Sequence, residues 1–340
     1  MFTKFRRSIL TSAATVSAAA LVLSGCSAAE SGSGDKENTA SSSSEQAKEV
    51  KLEDNFGSKT VNTPVESAAV TDNRAFEVLA QWDVELAAAP LKLVPKPLRD
   101  TYNKDTVAVD MGSHKEPDLE SLVAAEPDVV WNGQRFEQHQ EDIEKLVEDV
   151  PVLDFEPRDD KEFFGELKRH TEALGQVFGH EDDASKLIED FDAAAKRAKE
   201  AYDPSKKIMA VNTSGGEIGY IAPTVGRTYG PIFDLLGMKP SLEVDNASDD
   251  HEGDDISVEA IAESNPDWIL IMDRDAAISK EGQEHTPGDK LVKDNAALKN
   301  VTAVKEGNVY VAPADTYVNE SIVTYTEILN AMADSFEQQK

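Results

Sequence analysis

Asp118-Leu-Glu-Ser-Leu-Val-Ala-Ala-Glu-Pro-Asp-Val-Val-Trp-Asn-Gly-Gln-Arg135 and Ser257-Val-Glu-Ala-Ile-Ala-Glu-Ser-Asn-Pro-Asp-Trp-Ile-Leu-Ile-Met-Asp-Arg274 repeat one pattern, 139 residues apart. Glu120 aligns with Glu259, Pro127 with Pro266, Asp128 with Asp267 and Arg135 with Arg274. Each copy predicts a short amphipathic helix, a turn fixed by Pro-Asp, and a buried apolar strand with an arginine just past its end. Two such units predict two similar α/β lobes. In open α/β sheets, ligands bind beyond the carboxyl ends of the strands. Both arginines sit there, so two lobes would present cations to one shared cleft.

The surrounding chain extends this reading. Ala184, Leu187, Ile188, Phe191, Ala195 and Ala198 recur at helical spacing and predict a long helix over 183–202. It lies between the two copies and suits a stiff connector. Upstream, 59–70 reads as strand, turn at Pro64, strand. Asp72 is a candidate N-cap for a helix from Asn73, and 84–88 a short strand. Further helices are expected over 119–125, 141–147, 163–178 and 322–336, and further strands over 129–131, 152–155, 207–212, 218–222 and 309–311. Gly226-Arg227-Thr228-Tyr229-Gly230 begins a helix closed by Gly237. The expected fold is therefore α/β: two Rossmann-like α/β lobes, 53–180 and 204–340, joined by one connecting helix, 181–203, with a cleft between them.

The N-terminus reads as targeting rather than fold. Lys4, Arg6 and Arg7 precede an apolar run over 9–23 of signal-peptide length. The run is short of the roughly 20 residues that a membrane-spanning helix needs. Leu23-Ser24-Gly25-Cys26 resembles the bacterial lipobox, which implies cleavage before Cys26 and lipid on its sulfur. Residues 1–25 are then a signal peptide. Residues 26–52, poor in large apolar side chains, are expected to form a lipidated, disordered tether. Cys26 is the only cysteine, which excludes a disulfide or a cysteine-rich metal site.

The chain holds 65 acidic against 34 basic residues, a formal charge of −31, which becomes −34 once residues 1–25 are lost. Nucleic acid is excluded as a partner, since phosphate binding needs a basic face. With so many carboxylates available, an arginine facing an empty cleft has to be kept there.

Catalytic signatures are absent. The sequence has no Gly-x-Ser-x-Gly elbow, P-loop or dinucleotide fingerprint. The histidines at 114, 139, 170, 180, 251 and 285 are scattered, with no pair at helical ligand spacing. The acidic run 245–255 fails the calcium-loop pattern, because Ala247 takes a ligand position and Asp250 stands where glycine belongs. What remains is a two-lobed binder, not an enzyme.

The lipobox, the helix start at Gly226, the segment from Asn265-Pro266-Asp267 to Asp273-Arg274, and the acidic 241–256 loop with His251 together resemble the ferric-siderophore-binding lipoproteins of ABC importers. The likeness is greatest to those for catecholate and related siderophores, and it runs from about residue 55 onward. It implies two lobes on one long helix, with little hinge closure. It also implies three cleft arginines holding an anionic ferric complex, at positions matched here by Arg135, Arg227 and Arg274. The chemistry fits, because guanidinium is a planar fork of donors that stays charged. Some family members coordinate iron directly where the siderophore leaves positions open, and His251 and Tyr317 fall at the matching places. The segment after Tyr317, Val318-Asn319-Glu320, is shorter and less glycine-rich than the family pattern. His114 and Trp131 lie near the first copy's strand ends; His114 is a candidate cleft residue, and packing is the simpler role for Trp131.

The resemblance further implies no permanent cofactor, with the Fe(III)-siderophore as transported ligand. The partners would be an ABC permease with its ATPase, and the membrane through lipid on Cys26. The protein would be a monomer on the extracytoplasmic face of the cell membrane. Heme or a corrinoid is the alternative cargo on the same fold. Heme would favour axial Tyr, His or Met and an apolar slot, whereas three arginines favour a more anionic cargo. A surface esterase would need a nucleophile and a base within reach, and no such constellation is present. A purely structural envelope protein would not account for arginines at repeated strand ends.

Overall fold

A hairpin opens the part of the chain that the computed structural model describes, residues 48–280 and 282–339. The signal peptide, Cys26 and the tether up to residue 47 lie outside the described residues. The expected tether is nevertheless too long. Residues 48–52 belong to strand β1 (Lys48–Asp54), paired antiparallel with β2 (Gly57–Thr63). Leu52 and Asp54 are buried, while Lys51 and Glu53 are exposed. A Lys/Glu-rich composition hid this two-residue alternation.

The first sheet is wholly parallel. It comprises β3 (Ala68–Val70), β4 (Ala88–Ala89), β5 (Val109–Asp110), β8 (Val129–Asn132) and β9 (Val152–Asp154), in the order β5-β4-β3-β8-β9. A small hairpin, β6 (Gly112–Ser113) and β7 (Glu116–Pro117), projects from its edge. The strand expected over 84–88 is only Ala88–Ala89, because Val84 still bonds back to Leu79 at the end of the preceding helix. Helices α1 (Asn73–Gln81), α2 (Leu119–Ala124), α3 (Gln140–Leu146) and α4 (Phe163–Phe178) complete this lobe. Asp72 caps α1 as expected, accepting from Arg74 N.

Helix α5 (Glu181–Ala201) then runs for about 30 Å at 1.5 Å per residue. The second sheet orders β11 (Glu217–Ile221), β10 (Lys207–Ser214), β13 (Trp268–Asp273) and β14 (Val309–Val311), with β12 (Lys239–Pro240) also on β10. Only β10–β11 is antiparallel; a Gly215-Gly216 turn with both φ positive joins them. Helices α6 (Tyr229–Leu236), α7 (Val258–Ser264), α8 (Arg274–Ile278), α9 (Gly288–Lys293), α10 (Thr302–Glu306) and α11 (Ile322–Glu337) surround this sheet.

The two repeat copies fold alike. Asp118 and Ser257 each cap their helix. Glu126 and Asn265, one residue before each Pro-Asp, have φ of 44° and 45°. Asp128 Oδ2 accepts from Glu66 N and Ser67 N, at 2.8 and 3.0 Å, and Asp267 Oδ2 accepts from Lys207 N at 2.8 Å. Each aspartate therefore clamps the start of the neighbouring strand, β3 or β10, and sets the register of the central pair.

The lobes also share a core. Apolar residues of both sheets, including Val70, Trp131, Leu270 and Met272, join one cluster with Phe191, Ala194 and Ala198 of α5 and Ile328 and Met332 of α11. Separate clusters cover the outer face of each sheet. The connecting helix is thus part of the packing, tied to α11 by Arg197 bonding to Asp334 and Glu337. Among the described residues, no helix is long and apolar enough to cross a membrane.

Candidate functional site

Strand ends of both lobes converge on one cavity of about 470 Å³, within the usual range for small-molecule sites. Arg135, Arg227, Arg274, His251, Tyr317 and His114 all line it. Sequence reasoning missed four further cations in the lining, Lys92, Lys96, Arg99 and Lys115. Their signal was available, since residues 86–99 contain no carboxylate and three of these cations. The cavity thus gathers seven lysines and arginines and no carboxylate in its lining, on a chain of net charge −31. Leu93, Val94, Ala277, Ile278 and Val318 supply apolar surface beside them.

Tyr317 is the hub. It is 7% exposed and lies in a short 3-10 turn over Thr316–Val318. The guanidinium carbons of Arg135, Arg227 and Arg274 lie 5.2, 4.6 and 5.1 Å from its ring centroid. Arg135 Nη2 and Arg227 Nη2 also donate to its main-chain oxygen, at 3.4 and 3.3 Å. Burial would raise the phenol's pKa. The Arg274 hydrogen bond and the charges of Arg227 and Arg135 outweigh it, so the pKa is lowered. The shortened segment after Tyr317 is well anchored. Asn73 Nδ2 donates to Val318 O at 3.1 Å, and Glu77 accepts from Asn319, Ser321 and Thr324.

The arginines differ in their counter-charges. Arg227 ion-pairs with buried Glu320, which also accepts from Thr228 Oγ1 at 2.7 Å. Arg274 Nη1 bonds Ser214 Oγ at 2.8 Å and lies 3.4 Å from a Glu252 oxygen. Its sequence neighbours do not compete for it. Asp273 caps α8 and accepts from Gly288 N, and Asp275 accepts from Gly215 N and Gly216 N. Arg135 makes no ion pair among the described residues, and burial followed by the nearby Arg227 charge lowers its pKa. Two like charges about 7 Å apart repel by roughly 2.4 kcal/mol at an effective dielectric near 20. A cation–π contact returns about 0.5–2 kcal/mol, so the shared ring offsets much of the crowding.

His251 sits at the mouth, its side chain 58% exposed, on a loop held by Asn212 Nδ2 donating to His251 O at 3.0 Å. Gly219 lets that loop approach, because a Cβ there would lie 2.3 Å from Glu252 O. His114, next to Lys115 in the β6–β7 turn, has a pKa lowered by burial and then by Arg135. His114 Nδ1 and Arg274 Nε are buried without a hydrogen-bond partner among the described residues. Trp131 does not reach the cavity; it is fully buried and stacked on Phe155. Among the described residues, no cluster of three or more His, Cys, Asp or Glu can hold a metal ion.

Residues 69–316 match the periplasmic binding protein family. The chain belongs to that family. Among curated relatives it is 27% identical to the petrobactin-binding protein YclQ of Bacillus subtilis, over 94% of this chain and 96% of that protein. It is also 27% identical to the ferric-anguibactin-binding protein FatB of Vibrio anguillarum, over 82% and 85% of the two chains. The crystal structure of YclQ superposes with a TM-score of 0.72 at 23% identity, covering 85% of this chain and 99% of that one. The fold of two α/β lobes is therefore the fold of this family.

Proposed function

We propose that this protein is the lipid-anchored, extracytoplasmic receptor of an ABC importer, and that it captures an anionic iron(III)-siderophore of catecholate or mixed carboxylate type. The carrying observation is the cavity's charge: seven cations, no lining carboxylate, and one half-buried arginine, Arg135, that makes no ion pair among the described residues. The curated relatives named for ferric siderophores support the same cargo. Hydrogen bonds to charged groups contribute roughly 1.5–3 kcal/mol each. Three of them approach the 8 kcal/mol or so of a micromolar complex before the cost of association.

The protein's part is binding, not bond making. Arg135, Arg227 and Arg274 face the ligand's oxygens, Lys92, Lys96, Arg99 and Lys115 raise the potential on the first lobe's side, and Leu93, Val94 and Ile278 meet its apolar edges. His251 and Tyr317 complete the iron shell when the siderophore leaves positions open, and the lowered phenol pKa favours a phenolate there. Lipid on Cys26 keeps the receptor beside its permease and ATPase, and the receptor acts as a monomer. Its lobes follow the division 48–180 and 204–340 about helix 181–203, the first lobe opening with β1.

Titration of residues 27–340 with ferric and iron-free siderophores, by fluorescence quenching and calorimetry, tests the reading. A ferric catecholate should bind tightly, and Arg227→Ala should weaken it. Heme or a corrinoid binding in preference to every ferric siderophore would replace this cargo. With complexes that leave open sites, Tyr317→Phe should abolish a phenolate-to-iron charge-transfer band, and His251→Ala should weaken binding.

A further inference from the structure

Three guanidiniums around one ring are more than a ligand site needs if the tyrosine serves only as an iron ligand. Each carbon lies within 5.2 Å of the ring centroid, and two of the arginines also bond the Tyr317 carbonyl. The arginines arrive from separate parts of the fold: the turn after β8, the segment before α6, and the start of α8. Like charges from separate elements would spread toward solvent unless something common to them held them inward. Among the described residues only Arg227 pairs with a buried carboxylate, Glu320. Tyr317 is the element common to all three, and its own segment is fixed by Asn73 and Glu77 of α1.

We propose that Tyr317 is a positioning residue whose ring face and main-chain carbonyl gather Arg135, Arg227 and Arg274 into a preformed anion-binding triad. The inference rests on the anionic-cargo reading for its function but not for its geometry. The ring acts whether or not the phenol oxygen later meets iron. Preorganisation of this kind raises affinity by removing the cost of ordering three long side chains when the ligand arrives. It also predicts what matters most in the side chain: the aromatic face, ahead of the hydroxyl that Arg274 also bonds.

Two measurements test this on the lipid-free protein, residues 27–340. The first needs no ligand. Arginine Nε–Hε resonances are recorded by NMR and assigned through Arg135→Lys, Arg227→Lys and Arg274→Lys. Ring-current shifts on all three are expected in the wild type and in Tyr317→Phe, and their collapse in Tyr317→Leu. Unshifted resonances in the wild type would overturn the proposal, and this result stands even if Tyr317→Leu fails to fold.

The second is affinity for a coordinatively saturated ferric tris-catecholate, which offers no position to a phenolate. Tyr317→Phe, which keeps the ring but loses the Arg274 hydrogen bond, should lose clearly less than Tyr317→Leu. Tyr317→Leu should lose about ten-fold or more, on the scale of one cation–π contact per arginine. Equal affinity of a folded Tyr317→Leu, or an equal loss in both variants, would overturn the positioning role. Wild-type protein that binds no ferric complex would remove the cargo reading, while the NMR result would still decide the triad.

Discussion

The two repeat copies share a backbone and part company at their arginines. Asp128 and Asp267 make the same clamp, and Glu126 and Asn265 the same left-handed turn. Yet Arg135, half-buried, makes no ion pair among the described residues, while Arg274 is held by Ser214 and approached by Glu252. Both sheets end in buried polar residues, Asp72, Asn132, Asp154 and His170 at the first and Asn212, Thr213 and Asp273 at the second. Their edge strands differ as well, since β9 ends in buried Asp154 whereas β14 runs on into Ala312. A repeat places a side chain. Its neighbours from other elements decide how much free charge that side chain offers.

The largest expected effect concerns the polar residues at the end of the first sheet. Burial pushes the Asp154 carboxyl up to about 7, and its Oδ2 has no partner among the described residues. The native state therefore binds a proton that the unfolded chain releases near pH 4. The associated stability is present below that point and is lost as pH rises towards 7, by a few kcal/mol at about 1.4 per unit. Urea unfolding from pH 4 to 8 should show this slope in the wild type and its loss in Asp154→Asn. An unchanged slope would mean that solvent reaches the group.

Next come the two arginines themselves. Arg135→Gln should cost about 1.5–3 kcal/mol, ten- to a hundred-fold in affinity for a ferric catecholate. Arg274→Gln should cost less, about ten-fold, because Ser214 and Glu252 already compete for that guanidinium. Calorimetry on both variants checks the order, and a larger loss at Arg274 would reverse the assignment of the freer charge. The clamps should behave as equals: Asp128→Ala and Asp267→Ala should each destabilise by about 1–2 kcal/mol and leave affinity nearly unchanged. Unequal losses would show that the copies are not energetic equivalents.

The smallest effect tests contact between the lobes. Lys96 Nζ of the first lobe donates to Ala276 O at 2.6 Å and to Ser279 Oγ at 3.2 Å, at the end of the helix that begins with Arg274. Lys96→Met should raise the ligand dissociation rate about two- to five-fold, the scale of one modest hydrogen bond. Stopped-flow displacement measures it, and an unchanged rate would make Lys96 a purely electrostatic neighbour.

Much of this was legible in sequence because it is local or periodic. The repeat, the Asp72 and Gly237 caps, helices α4, α5 and α11, and the arginines at strand ends follow from spacing and turn chemistry. The hairpin strand at 48–54 escaped notice because surface-rich alternation resembles a linker. The basic segment 92–99 did so because nothing local says which way it faces.

By itself the sequence determined two α/β units, their order, and the arginines past their strand ends; the family resemblance added Arg227, His251 and Tyr317, which line the same cavity. Tertiary structure alone decided that Tyr317 lies beneath three guanidiniums, that Glu320 neutralises one of them, and that Arg135 makes no ion pair among the described residues. The reason is physical. Backbone conformation depends on neighbours along the chain, whereas the balance of a charge depends on every group within a few ångströms. Those groups come from residues as far apart as 135 and 317.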